Sequence, residues 1–507
     1  MKEVTGSITR ASERRVLAGL IILAALLRFI HLGAQSLWVD EILTLIVATP
    51  KAGYPLGQLL LHNIHGPLHT FVVALMRTVS ENDAWLRLPS AVAGTLSVPL
   101  LYAWVRPRFG GGAAVWAALF LAVNPLHIFY SQELRNYAFV VFFVLAACVL
   151  LDRLLERWSP GRAAAFAVCA AAAVLSNFSA CFAFAVQAVV YVSQSPVRSR
   201  ALARWAMITA MVVVLTSPWI YRLTTYVDLE KLATPVVPGE LSESQRLRGD
   251  TTFRWESVPY AFYTYSVGFA LGPTLRELHG DLHDALGRHR AAIAWTALLF
   301  GTLAVTGVVR AFRARAWRGT ELMLYVGVPL AATLLLNWQN AKAFNARYVL
   351  IGLPMYLTAV AAGVSARGRF RAAAWAGALV LVTCALAMRN YYVEPSRQKE
   401  DVRAATHAVE ARLRPGECIF APTVWQIVAH YQTTDAPLHY VYREPAGQMD
   451  RQLADLYSAC PSFWYLRARP WVDDADGRVL SAIETRYRQD DVLEFPGVRA
   501  LHFVSRN

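Results

Sequence analysis

The sequence predicts an α-helical polytopic membrane protein of about eleven transmembrane helices, followed by a small extracytoplasmic C-terminal α/β domain. Three observations predict it. Of 507 residues, 56% are hydrophobic and only 17% are charged, against about 25% charged in a water-soluble domain; lipid must therefore cover much of the surface. Apolar runs of spanning or near-spanning length recur along the first three quarters of the chain. Basic residues concentrate in alternate loops between those runs, as they do in loops retained in the cytoplasm.

The spans are expected at Val16–Leu32, Ser90–Val105, Ala113–Tyr130, Tyr137–Leu151, Ala163–Asn177, Phe178–Val192, Trp205–Tyr221, Ala291–Val309, Leu322–Trp338, Tyr348–Val364 and Ala373–Met388. Several are shorter than a typical span and are assigned because they alternate with charged loops. The first follows a basic segment, as a signal peptide would, but it is long for one and many spans follow, so it is read as an uncleaved helix.

The basic clusters are Lys2, Arg10, Arg14 and Arg15; Arg106 and Arg108; Arg153, Arg157 and Arg162; Arg198, Arg200 and Arg204; Arg310, Arg313, Arg315 and Arg318; and Arg367, Arg369 and Arg371. Placing all of them inside puts the N-terminus in the cytoplasm, and an odd number of spans puts the C-terminal domain outside. Arg288 and Arg290 fall on the wrong side, at the end of a long outer loop where the rule is weak. This topology accounts for the formal net charge of +14, which on a soluble protein would suggest nucleic acid; no nucleic-acid partner is expected. The domains divide as residues 1–390 in the membrane and 391–507 outside.

Three outer segments carry the informative residues. In the first, Gly33 to Pro89, Trp38–Ala48 and Leu68–Val79 read as amphipathic helices at the membrane surface, the second with Pro67 near its start. In the second, Leu223 to Arg290, Thr234–Gly249 reads as a polar loop. Tyr260–Leu275 there, with Gly268, Gly272 and Pro273, reads as a re-entrant or interfacial segment lining protein or a cavity; as a full span it would invert the topology, and the arginine pattern argues against that. The third is the C-terminal domain. Helices are expected at Lys399–Leu413, Val424–Tyr431, Gln448–Ser458 and Arg478–Arg488, with strands at Cys418–Ala421, His439–Tyr442, Ser462–Arg467 and near Val492 and Leu501. Among the six cysteines, Cys148, Cys169, Cys181 and Cys384 read as apolar packing residues. Cys418 and Cys460 lie in the outer domain, where a disulfide is permitted; the sequence leaves their pairing open.

Asp40 and Glu41 open the first outer segment in Ser36-Leu-Trp-Val-Asp-Glu-Ile. Charges beside a bilayer are expensive and tend to serve a purpose, although an acid pair also suits a helix N-terminus. On a helix the two side chains point about 100° apart, so one can face a cavity while the other pairs elsewhere. His62, His65 and His69 follow. The spacing of His65 and His69 suits a metal only on one continuous helix, which Pro67 opposes, so interfacial histidines are the better reading. Glu133 and Arg135 are the only charges in the short loop around Asn124–Tyr137. Lys342 and Arg347 are cations on the outer side, against the charge bias. Arg grips a phosphate in bidentate fashion and Lys supplies a point charge, so the pair points to an anionic group at the outer leaflet.

In order and topology these residues resemble the GT-C class of membrane glycosyltransferases, and within it the protein O-mannosyltransferase-like and aminoarabinose-transferase-like families that use polyprenyl-phosphate sugars. The resemblance covers about the first 390 residues. It is carried by Trp38-Val-Asp40-Glu41, Gly66-Pro67-Leu68, Leu86-Arg87-Leu-Pro89-Ser90, Pro125-Leu-His-Ile, Gln132-Glu133-Leu-Arg135-Asn-Tyr137, and Arg347-Tyr348 before Pro354. Gly66 departs from it, since many relatives have a second Pro there. Tyr391-Tyr392, Lys399-Glu400-Asp401 and Arg403 look like the start of the C-terminal domain of some such bacterial enzymes. The resemblance implies a glycosyltransferase of the cell membrane that inverts the sugar and takes it from a polyprenyl-phosphate donor. The acceptor would be a glycolipid, polysaccharide or protein in the cell envelope. It implies Asp40 as catalytic base with Glu41 beside it, and Arg135, Lys342 and Arg347 on the donor phosphate. Glu133, Tyr137, His65 and Tyr348 would support them. Some relatives need a divalent cation and others do not, so the cofactor stays open.

A transporter or flippase of a lipid-linked sugar is the main alternative. It would place charges inside the spans and show internal repeats, whereas here the spans are nearly free of charge and no repeat is visible. A non-catalytic scaffold would leave Asp40, Arg135, Lys342 and Arg347 scattered.

Overall fold

The structure, a computed structural model, describes residues 10–49, 66–226, 255–274, 277–278, 282–338, 344–366, 370–441, 448–474 and 477–506. The expected spans fall largely on helix, although Asn124, with extended backbone, interrupts Ala113–Tyr130. Among the described residues, six helices are long and apolar enough to cross a membrane by length and composition: Asp83–Val123, Tyr137–Glu156, Arg198–Arg222, Arg290–Ala314, Ala316–Trp338 and Arg371–Val393. Their outward faces are apolar, with Val214 and Leu298 each 70% exposed, a surface suited to lipid tails and not to water. Pro160–Ser176, Ala180–Gln194 and Leu353–Ser365, at 17, 15 and 13 residues, are shorter.

Two expected spans meet inside the 41-residue helix Asp83–Val123. A straight helix of that length would run about 60 Å, twice the thickness of the bilayer core. Gly110 breaks it with φ 83°, a backbone conformation that glycine adopts without steric cost, so the two halves point in different directions. At this end of the bundle Arg108, expected simply as a loop cation, is buried. It pairs with Asp152 at 2.6 Å and Glu321 at 3.0 Å, and its guanidinium lies 4.2 Å from the centre of the Trp104 ring. The helices Arg290–Ala314 and Leu353–Ser365 touch backbone to backbone at Gly307 and Gly363, where a Cβ would run into the carbonyls of Ala359 and Leu303.

Of the segments expected outside, both amphipathic helices form, as Val39–Val47 and Pro67–Arg77. The segment read as re-entrant forms a helix, Ser257–Val267, which ends at Gly268 with φ 66°. Its 11 residues reach about 16 Å, half a bilayer core, and Gly268 lies directly against Pro125 and Leu126. The polar loop Thr234–Gly249 lies outside the described residues. The expected span from Tyr348 begins later than expected. Asn345 accepts the Arg347 N–H at 3.1 Å, and two 3-10 turns, Ala346–Tyr348 and Leu350–Gly352, precede the helix. The Asn345 side chain thus caps the first turn, Ala346–Tyr348, at the edge of the expected span.

The last long helix ends at Val393, so the boundary expected at 390 falls in its final turn. Beyond it lie the helices Val402–Glu410, Trp425–Tyr431, Gln448–Ala459 and Arg478–Arg486. The strands are β1 (Cys418–Phe420), β2 (Leu438–His439), β3 (Ser462–Ala468), β4 (Tyr487–Phe495) and β5 (Val498–Ser505), in the order β2-β1-β3-β5-β4. β1 pairs in parallel with β2 and β3, while β5 runs antiparallel to β3 and β4. Strand–helix alternation thus gives the parallel half, and the final hairpin gives the antiparallel half. Cys418 and Cys460 are joined in a disulfide, which ties the start of β1 to the approach of β3.

The domains share one apolar cluster. Leu37, Ile42, Leu45, Val73 and Leu134 from the membrane domain pack with Val402, Ile419, Ile427, Trp464 and Val498. Polar contacts reinforce it: Arg403 donates to the carbonyls of Gly33 and Ala34 and to Asp83, while Tyr431 donates to Asp83 at 2.6 Å and accepts the Leu37 N–H at 2.9 Å.

Candidate active site

The short helix Val39–Val47 brings Asp40 and Glu41 to the boundary between the domains and turns them in different directions, as adjacent helical positions must be. The Asp40 side chain is 21% exposed and in ion contact with Arg347, which is 22% exposed. Arg135 donates to the Asp40 main-chain oxygen at 3.0 Å and to Thr44 Oγ1 at 2.9 Å. Three residues from three separate segments, each chosen from sequence, therefore converge. Burial alone would raise the Asp40 pKa, but the Arg347 and Arg135 guanidiniums outweigh it and hold the carboxyl below the usual carboxylate range. Asp40 is thus ionised and reachable, as a proton acceptor has to be.

The two tyrosines expected to support the site lie beside these arginines. Arg135 lies 5.7 Å from the centre of the Tyr137 ring, and Arg347 lies 5.4 Å from that of Tyr348, within the range of cation–π contact. The Nε atoms of both arginines are enclosed and have no hydrogen-bond partner. His65 and Lys342 lie outside the described residues. His69 is buried edge-on against Phe139, and burial pushes its pKa down to about 3, so it is neutral.

Glu41 is in a different situation. It is fully buried. Arg87 grips it in bidentate fashion at 2.8 and 2.7 Å, the Leu134 N–H donates at 2.7 Å, and the Trp38 N–H and Lys399 Nζ approach to 3.3 and 3.2 Å. Burial works to raise its pKa, and Arg87 and Lys399 overcome that and lower it. Such a carboxylate has no free lone pair facing a substrate. Glu133 is also fully buried, with Lys399 Nζ 3.2 Å from Oε1 and no hydrogen-bond partner on Oε2. Burial, with the Glu41 charge adding to it, raises the Glu133 pKa against the pull of Lys399.

Reading the sequence did not assign Arg87, Lys399 or Arg469 to this site. Arg87 and Lys399 stand among the residues that carry the resemblance, but the three meet Trp38–Glu41 only through the tertiary fold. Arg469, just beyond β3, lies 5.4 Å from the centre of the Trp38 ring and forms a two-pronged pair with Glu400 at 2.6 and 2.8 Å. Among the described residues, the one group spaced to hold a metal ion is Cys418, His439 and Cys460, far along the chain from Asp40 and with its two sulfurs already joined.

The comparisons with known proteins point the same way. The family model for dolichyl-phosphate-mannose-protein mannosyltransferase matches residues 64–221. A curated relative, the putative mannosyltransferase YycA of Bacillus subtilis (strain 168), is 39% identical over 70 residues, which are 14% of this chain. The match spans only 10% of that relative's length. Among solved structures, ArnT from Cupriavidus metallidurans in the apo state superposes with a TM-score of 0.56 at 12% identity, covering 96% of this chain and 98% of that one. The same protein bound to undecaprenyl phosphate gives 0.52 at 13% identity, covering 96% and 97%. The match extends over both domains, and at such identity it establishes the fold. The chain is a multi-pass membrane protein.

Proposed function

From a chain with the GT-C glycosyltransferase fold, we propose an inverting glycosyltransferase that moves a sugar from a polyprenyl-phosphate donor to an acceptor nucleophile at the outer face of the membrane. The observation that carries this reading is the contact of a partly exposed, ionised Asp40 with Arg347, with Arg135 bound to the same residue. It puts a proton acceptor beside two guanidiniums. Glycosyl transfer from a lipid phosphate needs both in one place: a base for the acceptor hydroxyl and cations for the departing phosphate.

In this mechanism the acceptor oxygen attacks the anomeric carbon from the face opposite the phosphate. Asp40 takes the hydroxyl proton as the new C–O bond forms. The bond between the anomeric carbon and the phosphate oxygen breaks, and the electron pair leaves with the polyprenyl phosphate. Arg347 and Arg135 stabilise the negative charge that develops there, and a single displacement inverts the anomeric configuration. Lys342, five residues before Arg347 in the sequence, would add a point charge. Glu41 takes no proton: it holds Arg87, Lys399 and the Leu134 N–H, and so fixes the loop that presents Arg135. The convergence of Asp40, Arg135 and Arg347 speaks against a scaffold.

The same reading places the N-terminus in the cytoplasm and the C-terminal domain outside a bacterial plasma membrane. The alternating arginine clusters support that orientation, and so does a disulfide in the outer domain, since disulfides persist in oxidising compartments.

The test uses purified protein, a panel of radiolabelled polyprenyl-phosphate sugars and a cell-envelope extract that supplies glycolipid, polysaccharide and protein acceptors. Label should leave the lipid with the natural protein and stay on it with Asp40→Asn. No release from any donor, or undiminished release by Asp40→Asn, would overturn the proposal.

A further inference from the structure

The C-terminal domain begins beyond the last membrane helix, yet it reaches the helix that carries Asp40. Two of its cations flank Trp38, the residue before that helix: Lys399 Nζ lies 5.9 Å from the ring centre and the Arg469 guanidinium 5.4 Å from it. The Trp38 indole N–H is enclosed and has no hydrogen-bond partner, so the ring is held by its faces. Arg469 is itself set with care. Its backbone lies in the left-handed region, φ 49° and ψ 56°, directly before Pro470. A side chain at positive φ is strained, and the residue before a proline is restricted further; such strain persists where the surroundings over-determine it.

Those surroundings form a chain of contacts. Glu400 grips Arg469 with both oxygens. Gly497, in the β4–β5 turn with φ 69°, lies so close to Glu400 that a Cβ there would come within 2.9 Å of it. The adjacent Pro496 carbonyl accepts the Asp401 N–H at 2.8 Å. The hairpin thus fixes Glu400, Glu400 fixes Arg469, and Arg469 lies on Trp38, two residues from Asp40.

We propose that the C-terminal domain is part of the catalytic centre, and that Arg469 is a positioning residue that holds the start of the Asp40 helix through Trp38 and adds its positive charge to the field at Asp40. Its importance for turnover rests on the glycosyltransferase reading above; its position and field do not. The electrostatic influence of Arg469 on Asp40, which lowers the pKa of that carboxyl, agrees with the placement.

The decisive experiment reads the field without any substrate. Asp40→Cys is made in the full chain, alone and together with Arg469→Ala, Arg469→Lys or Glu400→Gln. The rates of modification by an anionic and a cationic methanethiosulfonate are then compared. The protein with Asp40 intact gives the background from Cys169 and Cys181, which are partly buried. Arg469→Ala should shift the anionic-to-cationic rate ratio by roughly tenfold towards the cation, the effect of about one unit charge several ångströms away in a wet site. Arg469→Lys should keep most of the ratio. Glu400→Gln deletes the negative charge paired with Arg469, so it should shift the ratio the opposite way, towards the anion, and it covers the case in which Arg469→Ala does not fold. An unchanged ratio in both Arg469→Ala and Glu400→Gln would overturn the proposal. With Asp40 present, turnover in Arg469→Lys should show a lower kcat at unchanged donor KM, and wild-type kcat there would overturn the positioning role. Should the natural protein transfer no sugar while the rate ratios shift as expected, the functional reading fails and the placement of Arg469 stands.

Discussion

Glu41→Gln separates the two acids that stand side by side in the sequence. The substitution keeps the shape of the side chain and removes its charge. Five donors converge on that carboxylate: two from Arg87, the N–H groups of Leu134 and Trp38, and Lys399. A glutamine offers one acceptor oxygen and sets an NH2 group against the remaining donors. Two cations with almost no exposure, Arg87 and Lys399, lose their common counter-charge. Removing one partner of a buried ion pair costs about 3–5 kcal/mol, a large part of the usual stability of a domain. The assay is thermal or denaturant unfolding in detergent as a function of pH. The Glu41 pKa is lowered in the folded protein, so its contribution is complete above the unfolded carboxyl value, about 4.3, and is lost as pH falls below it. The natural protein should therefore lose stability on acidification through that window, and Glu41→Gln, already destabilised at neutral pH, should lack this component. Natural stability together with abolished turnover in Glu41→Gln would refute the reasoning and make Glu41 a chemical participant.

Asp40→Asn should lower kcat by about 10²–10⁴ with unfolding unchanged, because an amide oxygen still accepts from Arg347; full turnover would remove Asp40 as the base. Arg347→Lys keeps the charge but loses the planar fork, and donor kinetics should show a raised KM, a lowered kcat, or both; unaltered kinetics in it and in Lys342→Ala would dismiss both residues from the phosphate site. Cys418→Ser with Cys460→Ser should cost about 2–4 kcal/mol in the C-terminal domain, seen as a lower unfolding midpoint under non-reducing conditions. Reporter fusions at Pro107, Ser195 and Gly368 should signal cytoplasm and a fusion after Val393 should signal the outside; the opposite signal after Val393 would invert the topology.

Much of this structure was legible because periodicity and charge act locally. Apolar runs located the helices, and the alternation of Cys418–Ala421, Val424–Tyr431 and Ser462–Arg467 located the α/β domain almost to the residue. Two features resisted. A run of apolar residues does not reveal that its first residues will wind as 3-10 turns, as Ala346–Tyr348 and Leu350–Gly352 do beside Arg347. A lone glycine among glycines does not announce which one will bend, and Gly110 is the one. The site was legible where its charges broke a rule: Asp40, Glu133, Arg135 and Arg347 stand where a membrane surface would rather have none. Arg87, Lys399 and Arg469 break no rule in sequence. Arg87 opens an ordinary helix, and the other two lie in a soluble domain where cations are commonplace. Their value comes from burial against Glu41 and Trp38, which only the tertiary fold creates. The same holds for the division of labour between Asp40 and Glu41, since adjacent acids are equivalent until something is packed against one of them.

The apolar cluster that the Asp40 helix shares with the C-terminal domain also bears on how the protein is made. Leu37, Ile42 and Leu45 emerge from the ribosome early, whereas Trp464 and Val498, against which they finally pack, emerge more than 400 residues later. About 430 residues separate Asp40 from Arg469, and at roughly 5–20 residues per second their synthesis takes on the order of 20–90 s. Throughout that interval the short helix has reached the membrane surface without its covering, and the bilayer interface is the natural place for its apolar face to wait. Assembly of this interface therefore waits for the synthesis of the β4–β5 hairpin, and a chain interrupted between Val393 and that hairpin carries the long apolar helices described above without it.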